Sequence, residues 1–217
     1  MSNPATKKIY AEYRACKDCM LHSISHGKRM SGGGLLSPAN TDVMFVTGSM
    51  FVEEIVDGTF GKGAGGEVLR VMGEFLEDDL RQYYITGVVK CQTMPSADIG
   101  EFGKDLCPKP RPREIAACSK WLSREIAAIN PLVIVALGET ALTAISVKSP
   151  GFTENFGIMT ETMIRGVVIN YPVAVMPTFS LLDLHRSSDM SEGGVWNRAF
   201  EHIRRAIGVA KRLRENE

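Results

Sequence analysis

Short apolar runs alternate with amphipathic stretches along most of the chain. The apolar runs, rich in Val, Ile and aromatic residues and bounded by turn residues, predict strands buried on both faces, at 43–48, 83–89, 132–138, 166–169 and 173–178. Apolar residues at helical spacing predict helices at 65–80, 112–129, 139–147 and 195–213. This alternation favours the α/β class, as a three-layer α/β/α sandwich around a central, mostly parallel, four-stranded sheet.

The carboxyl ends of the predicted strands are the expected place for a ligand, because open parallel sheets bind ligands there. These ends fall at 47–51, 87–91, 138 and 177–180. Three long connections, at 22–41, 91–111 and 148–165, are rich in Gly, Pro, Ser or Asp. Loops of this length in a compact domain usually contribute to a binding site.

Composition bears on the number of domains, the binding partners and the compartment of the protein. A chain of 217 residues, 44% of them apolar and without an internal repeat, fits a single domain over 1–217. Lys+Arg and Asp+Glu both number 25, so the net charge gives no global signature of nucleic-acid binding and leaves only a local basic face open. The start lacks a signal-peptide pattern, and no segment reaches the roughly 18 apolar residues of a membrane span, which favours a cytoplasmic protein without membrane contact.

The five cysteines are the main chemical signal. Cys16 and Cys19 form a C-x-x-C, Cys91 follows a predicted strand, Cys107 lies in the next loop, and Cys118 lies on a predicted helix. Disulfides are rare in the cytoplasm, so thiolates that hold zinc or an iron–sulfur cluster are the sharper interpretation. Spacing alone leaves both metals open, and it leaves Cys118 open as a small buried apolar residue.

Two groups of basic residues could contact phosphates. One group follows the C-x-x-C and comprises His22, His26, Lys28 and Arg29. The other lies on the predicted C-terminal helix and comprises Arg198, Arg204, Arg205, Lys211, Arg212 and Arg214. Solvated surface charge explains each group equally well.

Six segments occur in a distinctive order between about residues 13 and 186. They are "CKDC", "VTGSMFVEEIVDGTFGKGAGGEVL", "YYITGVVKC", "PKPRPREIAACSKWL", "NPLVIVALGETAL" and "VMPTFSLLDLHR". In this order they resemble the family 4 uracil-DNA glycosylases, including related domains of some phage DNA polymerases. The resemblance implies DNA as a partner and a structural [4Fe–4S] cluster held by Cys16, Cys19, Cys91 and Cys118, with the N-terminal segment 1–40 packed on it. The loop before the "EIAAC" helix is longer than in the family and brings Cys107 as a competitor for the fourth position.

Several working positions of the family carry different residues here. Aligned without gaps, the water-activating acid of the family falls on Gly48, the Asn that reads the base edge on Gly87, and the His that stabilises the departing uracil on Ser180. The base-stacking ring falls on Gly61, one residue after Phe60. Cleavage of an N-glycosidic bond needs charge stabilisation and hydrogen bonds to the base. The resemblance therefore predicts a retained scaffold without ordinary uracil excision.

Nearby side chains offer a relocated active site as the alternative. Glu53, Glu54 and Asp57 follow the first strand, while Asp183 and His185 follow the last one. Solvated loop charge explains the two glutamates at least as well.

The glycine-rich run 58–66 lacks the spacing of a nucleotide-binding phosphate loop. Backbone amides at Gly63, assisted by Lys62, could instead hold a DNA phosphate at the start of a helix. Ser180 and Arg186 are the other predicted DNA contacts. A tight turn that packs the following helix on the sheet is the plainer interpretation of the glycines.

Three functional hypotheses follow. The first is a DNA-binding iron–sulfur protein that acts in DNA replication or repair, with a phage DNA polymerase or another replication protein as partner. The second is an active DNA glycosylase with relocated groups and altered base specificity. The third is a cluster-bearing redox or sensing protein.

Overall fold

The computed structural model describes residues 4–24, 41–49, 63–77, 82–93, 109–147, 151–167 and 172–216. Its helices and strands, in chain order, are α1 Pro4–Arg14, α2 Leu21–Ile24, β1 Val43–Thr47, α3 Gly63–Leu76, β2 Tyr84–Gly87, α4 Pro112–Ile129, β3 Val133–Leu137, α5 Glu139–Ile145, α6 Phe152–Asn155, β4 Thr160–Thr162, β5 Val173–Thr178, α7 Leu181–Arg186 and α8 Val195–Glu215. Within these ranges no helix is long and apolar enough to cross a bilayer.

The strands form one sheet in the order β2-β1-β3-β5-β4. The first four pair in parallel, which confirms the four-stranded parallel arrangement, whereas β4 adds an antiparallel edge beside β5. The short polar sequence Thr160–Thr162 has no apolar alternation, so the pattern analysis missed it. The strand predicted at 166–169 is wrong at its start, because Gly166 has φ +71° and lies with Val167 in a turn. Residues 168 and 169 lie outside the described ranges.

Alternate residues of the buried strands face two different cores. In β1, Val43 and Phe45 pack in the core under α3, α7 and α8. Met44 and Val46 pack in the core under α1, α4 and α5. All five residues of β1 are buried, as its uninterrupted apolar run predicted. Helices therefore cover both faces, and the three-layer sandwich is confirmed.

Helix α4 has local signals at both ends. Pro112 occupies its first turn, where a missing backbone N–H costs nothing, and the Arg111 N–H donates to Glu114 Oε2 at 2.8 Å. At the other end Asn130 adopts φ +52° and its N–H donates to the Ile126 carbonyl. The range 112–129 predicted from periodicity is confirmed.

The end of β2 is tied to α4 by a buried ion pair. Lys90 Nζ lies 2.6 Å from Glu125 Oε2, and the two side chains are 1% and 2% exposed. Lys90 Nζ also donates to Thr86 Oγ1 and to the Gly87 carbonyl, each at 2.6 Å. The ammonium group therefore makes three hydrogen bonds, which offset the cost of burying a charge.

We expect Lys90→Met to lower the free energy of unfolding by about 3–5 kcal/mol, because it leaves the Glu125 carboxylate buried without its cation. The double variant Lys90→Met/Glu125→Leu replaces both charges by apolar groups and should lose much less. Denaturant titrations of the three proteins measure both effects. A double variant as unstable as the single one would contradict this account of the pair.

Candidate nucleic-acid site and cysteine pocket

A cavity of about 340 Å³ opens at the carboxyl ends of β1, β3 and β5. This is the edge of the sheet at which the sequence predicted a ligand site. Its described lining comprises Thr47, Gly48, Ser49, Lys109, Pro110, Leu137, Gly138, Glu139, Thr140, Phe152, Ser180, Leu181, Leu182 and Asp183. We call this cavity the strand-end pocket.

Two glycines bring backbone close to neighbouring side chains in the strand-end pocket. A Cβ on Gly48 would lie 3.0 Å from Thr140 Cβ, so a side chain there requires Thr140 to shift by a few tenths of an ångström. Gly138 has φ +91°, and a Cβ on it would lie 2.8 Å from Ser180 Cβ. Gly48, Gly138 and Ser180 are thus brought together, and the two glycines present only backbone to the cavity.

Ser180 begins α7 as its N-cap. Its Oγ donates to Asp183 Oδ2 at 2.6 Å, its N–H donates to the same oxygen at 2.9 Å, and the Asp183 N–H donates to Ser180 Oγ at 3.1 Å. This reciprocal arrangement is a capping box. The Ser180 hydroxyl is therefore engaged in holding α7, and Asp183 lies on the pocket wall as the other half of the cap.

The remaining predicted positions are dispersed. Gly87 pairs with Thr47 in the β1–β2 ladder, but it is absent from the described pocket lining. His185 and Arg186 are exposed in the last turn of α7 and are also absent from that lining. Gly63 is the first residue of α3 and is exposed, with φ +61°. The other predicted positions, Glu53, Glu54, Asp57, Phe60, Gly61, Lys62 and Cys107, lie outside the described residues.

The lining residues that had not been singled out as candidates from the sequence include Lys109, Glu139, Thr140 and Phe152. Lys109 Nζ lies 3.2 Å from Glu139 Oε2 at the exposed rim of the pocket. Glu139 and Thr140 follow the predicted strand end at 138 directly, so their position was an available signal. Lys109 and Phe152 lie in or beside long connections, and nothing local in the sequence indicates that they reach the pocket.

The basic C-terminal helix α8 uses much of its charge to hold neighbouring segments. Arg204 donates to the Phe75 carbonyl, Arg205 donates to the Gly157 carbonyl, and Arg214 pairs with Asp42. Arg198 lies over Phe156, 5.1 Å from the ring centroid. These contacts favour the surface-helix interpretation of this basic group over a DNA contact.

The four predicted ligands line one small pocket, which we call the cysteine pocket. Cys16, Cys19 and Cys91 are half-buried, Cys118 is buried, and all four are free thiols. The Lys90 backbone N–H donates to Cys118 Sγ at 3.3 Å, and burial raises the pKa of the Cys118 thiol to about 12. Over the described ranges, no group of three or more His, Cys, Asp and Glu side chains converges as a metal-binding group.

A family model for the uracil DNA glycosylase superfamily matches residues 35–203. The chain belongs to the uracil-DNA glycosylase superfamily. The resemblance inferred from the six segments is confirmed. Two of the positions onto which the sequence aligned the family's working residues, Gly48 and Ser180, line the strand-end pocket.

Three similar proteins are type-4 uracil-DNA glycosylases. The chain is 32% identical over 185 residues to that of Thermotoga maritima, which covers 82% of each protein. It is 30% identical over 177 residues to that of Sulfurisphaera tokodaii, covering 80% of this chain and 72% of the relative. With that of Saccharolobus solfataricus the identity is 26% over 172 residues, covering 79% and 73%. The likeness to this branch of the superfamily therefore extends over most of the chain.

We expect Ser180→Ala to lower the free energy of unfolding by about 1 kcal/mol, because the capping box of α7 loses its hydroxyl. Ser119→Ala is the matched control, since the Ser119 hydroxyl donates to the Ala116 carbonyl within α4 and caps nothing. The control should change stability by less than about 0.5 kcal/mol. Equal stability of the two variants in thermal or denaturant unfolding would show that the Ser180 hydroxyl has no capping role.

Proposed function

We propose that this superfamily member binds DNA without excising uracil in the ordinary way, and that it acts in DNA replication or repair. The observation that carries the proposal is the construction of the strand-end pocket at Gly48 and Ser180. Gly48 offers only its backbone to the pocket, and Ser180 uses its hydroxyl to cap α7.

DNA binding is supported by relatives that are named for acting on uracil in DNA. Their likeness covers most of this chain, including the strands whose carboxyl ends form the pocket. The pocket is open and polar at its rim, where Lys109 and several hydroxyl groups line it. Such groups suit a ligand that carries phosphates and polar base edges.

Loss of ordinary excision is supported by what the described pocket side chains already do. Glycosidic cleavage needs a positioned carboxylate for the water and donors for the negative charge that develops on the base. Asp183 Oδ2 accepts two hydrogen bonds in the cap of α7, and Glu139 is paired with Lys109. The two carboxylates of the described pocket are thus engaged, one in the cap of α7 and the other with Lys109 at the rim.

The test is a paired measurement of binding and excision. The purified protein is incubated with single-stranded and duplex oligonucleotides that contain uracil, hypoxanthine or xanthine, and the products are treated with alkali. We expect retention of the DNA in a gel-shift assay and no alkali-sensitive site, whereas a type-4 relative in parallel cleaves the uracil substrate.

Two results would replace the proposal by one of its alternatives. Alkali-sensitive sites that disappear in Asp183→Asn or Glu139→Gln would establish a glycosylase with relocated groups. Complete loss of DNA retention would instead favour a redox or sensing protein. A replication protein, such as a phage DNA polymerase, is the protein partner that the sequence resemblance suggests.

An iron–sulfur cluster is the second part of the proposal, and the shared pocket of four cysteines supports it. Four thiols on three separate stretches of chain line one pocket, and a backbone N–H donates to one of the sulfurs. Hydrogen bonds of this kind to ligand sulfurs are typical of such clusters. Cys16, Cys19, Cys91 and Cys118 would hold the cluster, which would tie the N-terminal segment to α4. Zinc is the alternative for the same thiolates.

We expect protein purified without oxygen to be brown and to contain iron and acid-labile sulfide. Cys16→Ser and Cys118→Ser should lose colour and iron, because each removes a ligand. Cys107→Ser should keep both, and it serves as the matched control. A colourless protein with stoichiometric zinc would overturn the cluster, and loss of iron in Cys107→Ser with retention in Cys118→Ser would exchange the fourth ligand.

A further inference from the structure

We propose that the outer surface of α1 and α4 is a track for the DNA backbone that begins at the rim of the strand-end pocket. This inference rests on the proposed DNA binding and adds a second contact region to it. We call this region the α1–α4 basic surface. Its cations are Lys7, Lys8, Arg14, Lys17, Lys109, Arg111, Arg113, Lys120 and Arg124.

The segments that form this surface are locally basic. The whole chain has equal numbers of basic and acidic residues, 25 of each. Segments 4–24 and 109–130 together contain the nine cations named above but only four acidic residues, Glu12, Asp18, Glu114 and Glu125. A local excess of this size in a neutral chain creates a positive patch that attracts a polyanion.

The four acidic residues reduce this excess less than their number suggests. Glu114 and Glu125 are buried, one bonded to the Arg111 N–H and the other paired with Lys90. Glu12 and Asp18 pair with Arg124 and Lys120, and these hydrogen bonds hold the pKa of each carboxyl below its usual value. Lys109 is paired with Glu139, which lies outside these two segments. The exposed cations of this surface that none of these ion pairs compensates include Lys7, Lys8, Lys17, Arg111 and Arg113.

The position of the surface connects it with the pocket. Lys109 and Pro110 line the strand-end pocket, and α4 begins two residues later. Arg113, Lys120 and Arg124 follow along one side of α4 at helical spacing. Arg113 and Arg124 lie eleven residues apart, or about 17 Å along the helix at 1.5 Å per residue. This length corresponds to about five nucleotides at 3.4 Å each.

Helix α1 widens the surface and runs in the opposite direction. Glu12 on α1 contacts Arg124, whereas Asp18, just beyond α1, contacts Lys120, nearer the start of α4. Ring contacts fix the two helices together, because Tyr13 packs edge-on against Trp121 with centroids 6.0 Å apart. The cations of α1 are thereby held beside those of α4.

Aromatic rings also order some of the cations in advance. Lys120 Nζ and Arg124 Cζ lie 4.7 and 5.2 Å from the centroid of the Trp121 ring, and Arg14 lies over Tyr10. Side chains that are already ordered lose less conformational entropy when a phosphate binds. By contrast, the basic residues of α8 described above are largely bonded to their own fold.

The test compares two double variants that remove the same charge. Lys8→Gln/Arg113→Gln removes two exposed cations of the basic surface, and Lys211→Gln/Arg212→Gln removes two exposed cations at the end of α8. Affinity for a duplex of roughly 20 base pairs is measured from low to near-physiological salt, where each phosphate contact contributes about 0.9 to the salt slope. Thermal melts show whether both variants fold as the parent does.

We expect the surface variant to bind the duplex about tenfold more weakly at intermediate salt and to lose about 2 from the magnitude of the salt slope. The α8 variant should keep an affinity within twofold of the parent's and the parent's salt slope. An unchanged slope in the surface variant, or an equal loss in the α8 variant, would overturn the inference while the proposed DNA binding stands. Failure of the parent protein to bind any DNA would instead contradict the proposed function, and with it this inference.

Discussion

The buried ion pair between Lys90 and Glu125 is the interaction that holds the end of β2 and the cysteine pocket against α4. It fixes the chain just beyond β2 against α4, where the Lys90 N–H also reaches Cys118. One residue later the chain supplies Cys91, and three residues earlier it supplies Gly87, whose carbonyl Lys90 engages. A charge buried this deeply tolerates little displacement, since any movement would leave a carboxylate without its partner. The end of β2 and the cysteine pocket are therefore parts of one rigid corner of the fold.

At that corner the acidic and basic groups of α4 are separated. Acidic groups of α4 are turned inward, where they cap the helix or meet Lys90, and basic groups remain outside. Three arginines of α8, on the other side of the sheet, are instead bonded to carbonyls or to Asp42. The basic groups on the two faces of the sheet therefore differ in how much of their charge the fold itself uses.

The regular elements were predictable because their signals are local. The buried strands and α4 follow from apolar periodicity, Pro112 and Asn130. The bounds of β1, β3, β5 and α4 were predicted within one residue, and the end of β2 was predicted two residues too late. The edge strand β4 was missed because its three residues pair with β5 through backbone bonds that no side-chain pattern encodes. Cys16, Cys19, Cys91 and Cys118 line one pocket, and their role as ligands of a metal or cluster stays a prediction. Lys109 and Phe152 reach the strand-end pocket only through the course of long connections, which periodicity does not describe. The aspartate three residues after Ser180 indicates an N-cap in the sequence. The resemblance instead aligned Ser180 with a catalytic position of the family.

The tight contact at Gly48 bears on how this pocket can change over evolutionary time. An acidic side chain introduced there requires Thr140 to shift, and replacing Ser180 by a residue without a capping oxygen gives up the side-chain cap of α7. Each step alone is penalised before a second step can supply a benefit. Introducing functional side chains at both positions thus requires coordinated substitutions, so the present pocket can acquire them only through less stable intermediates.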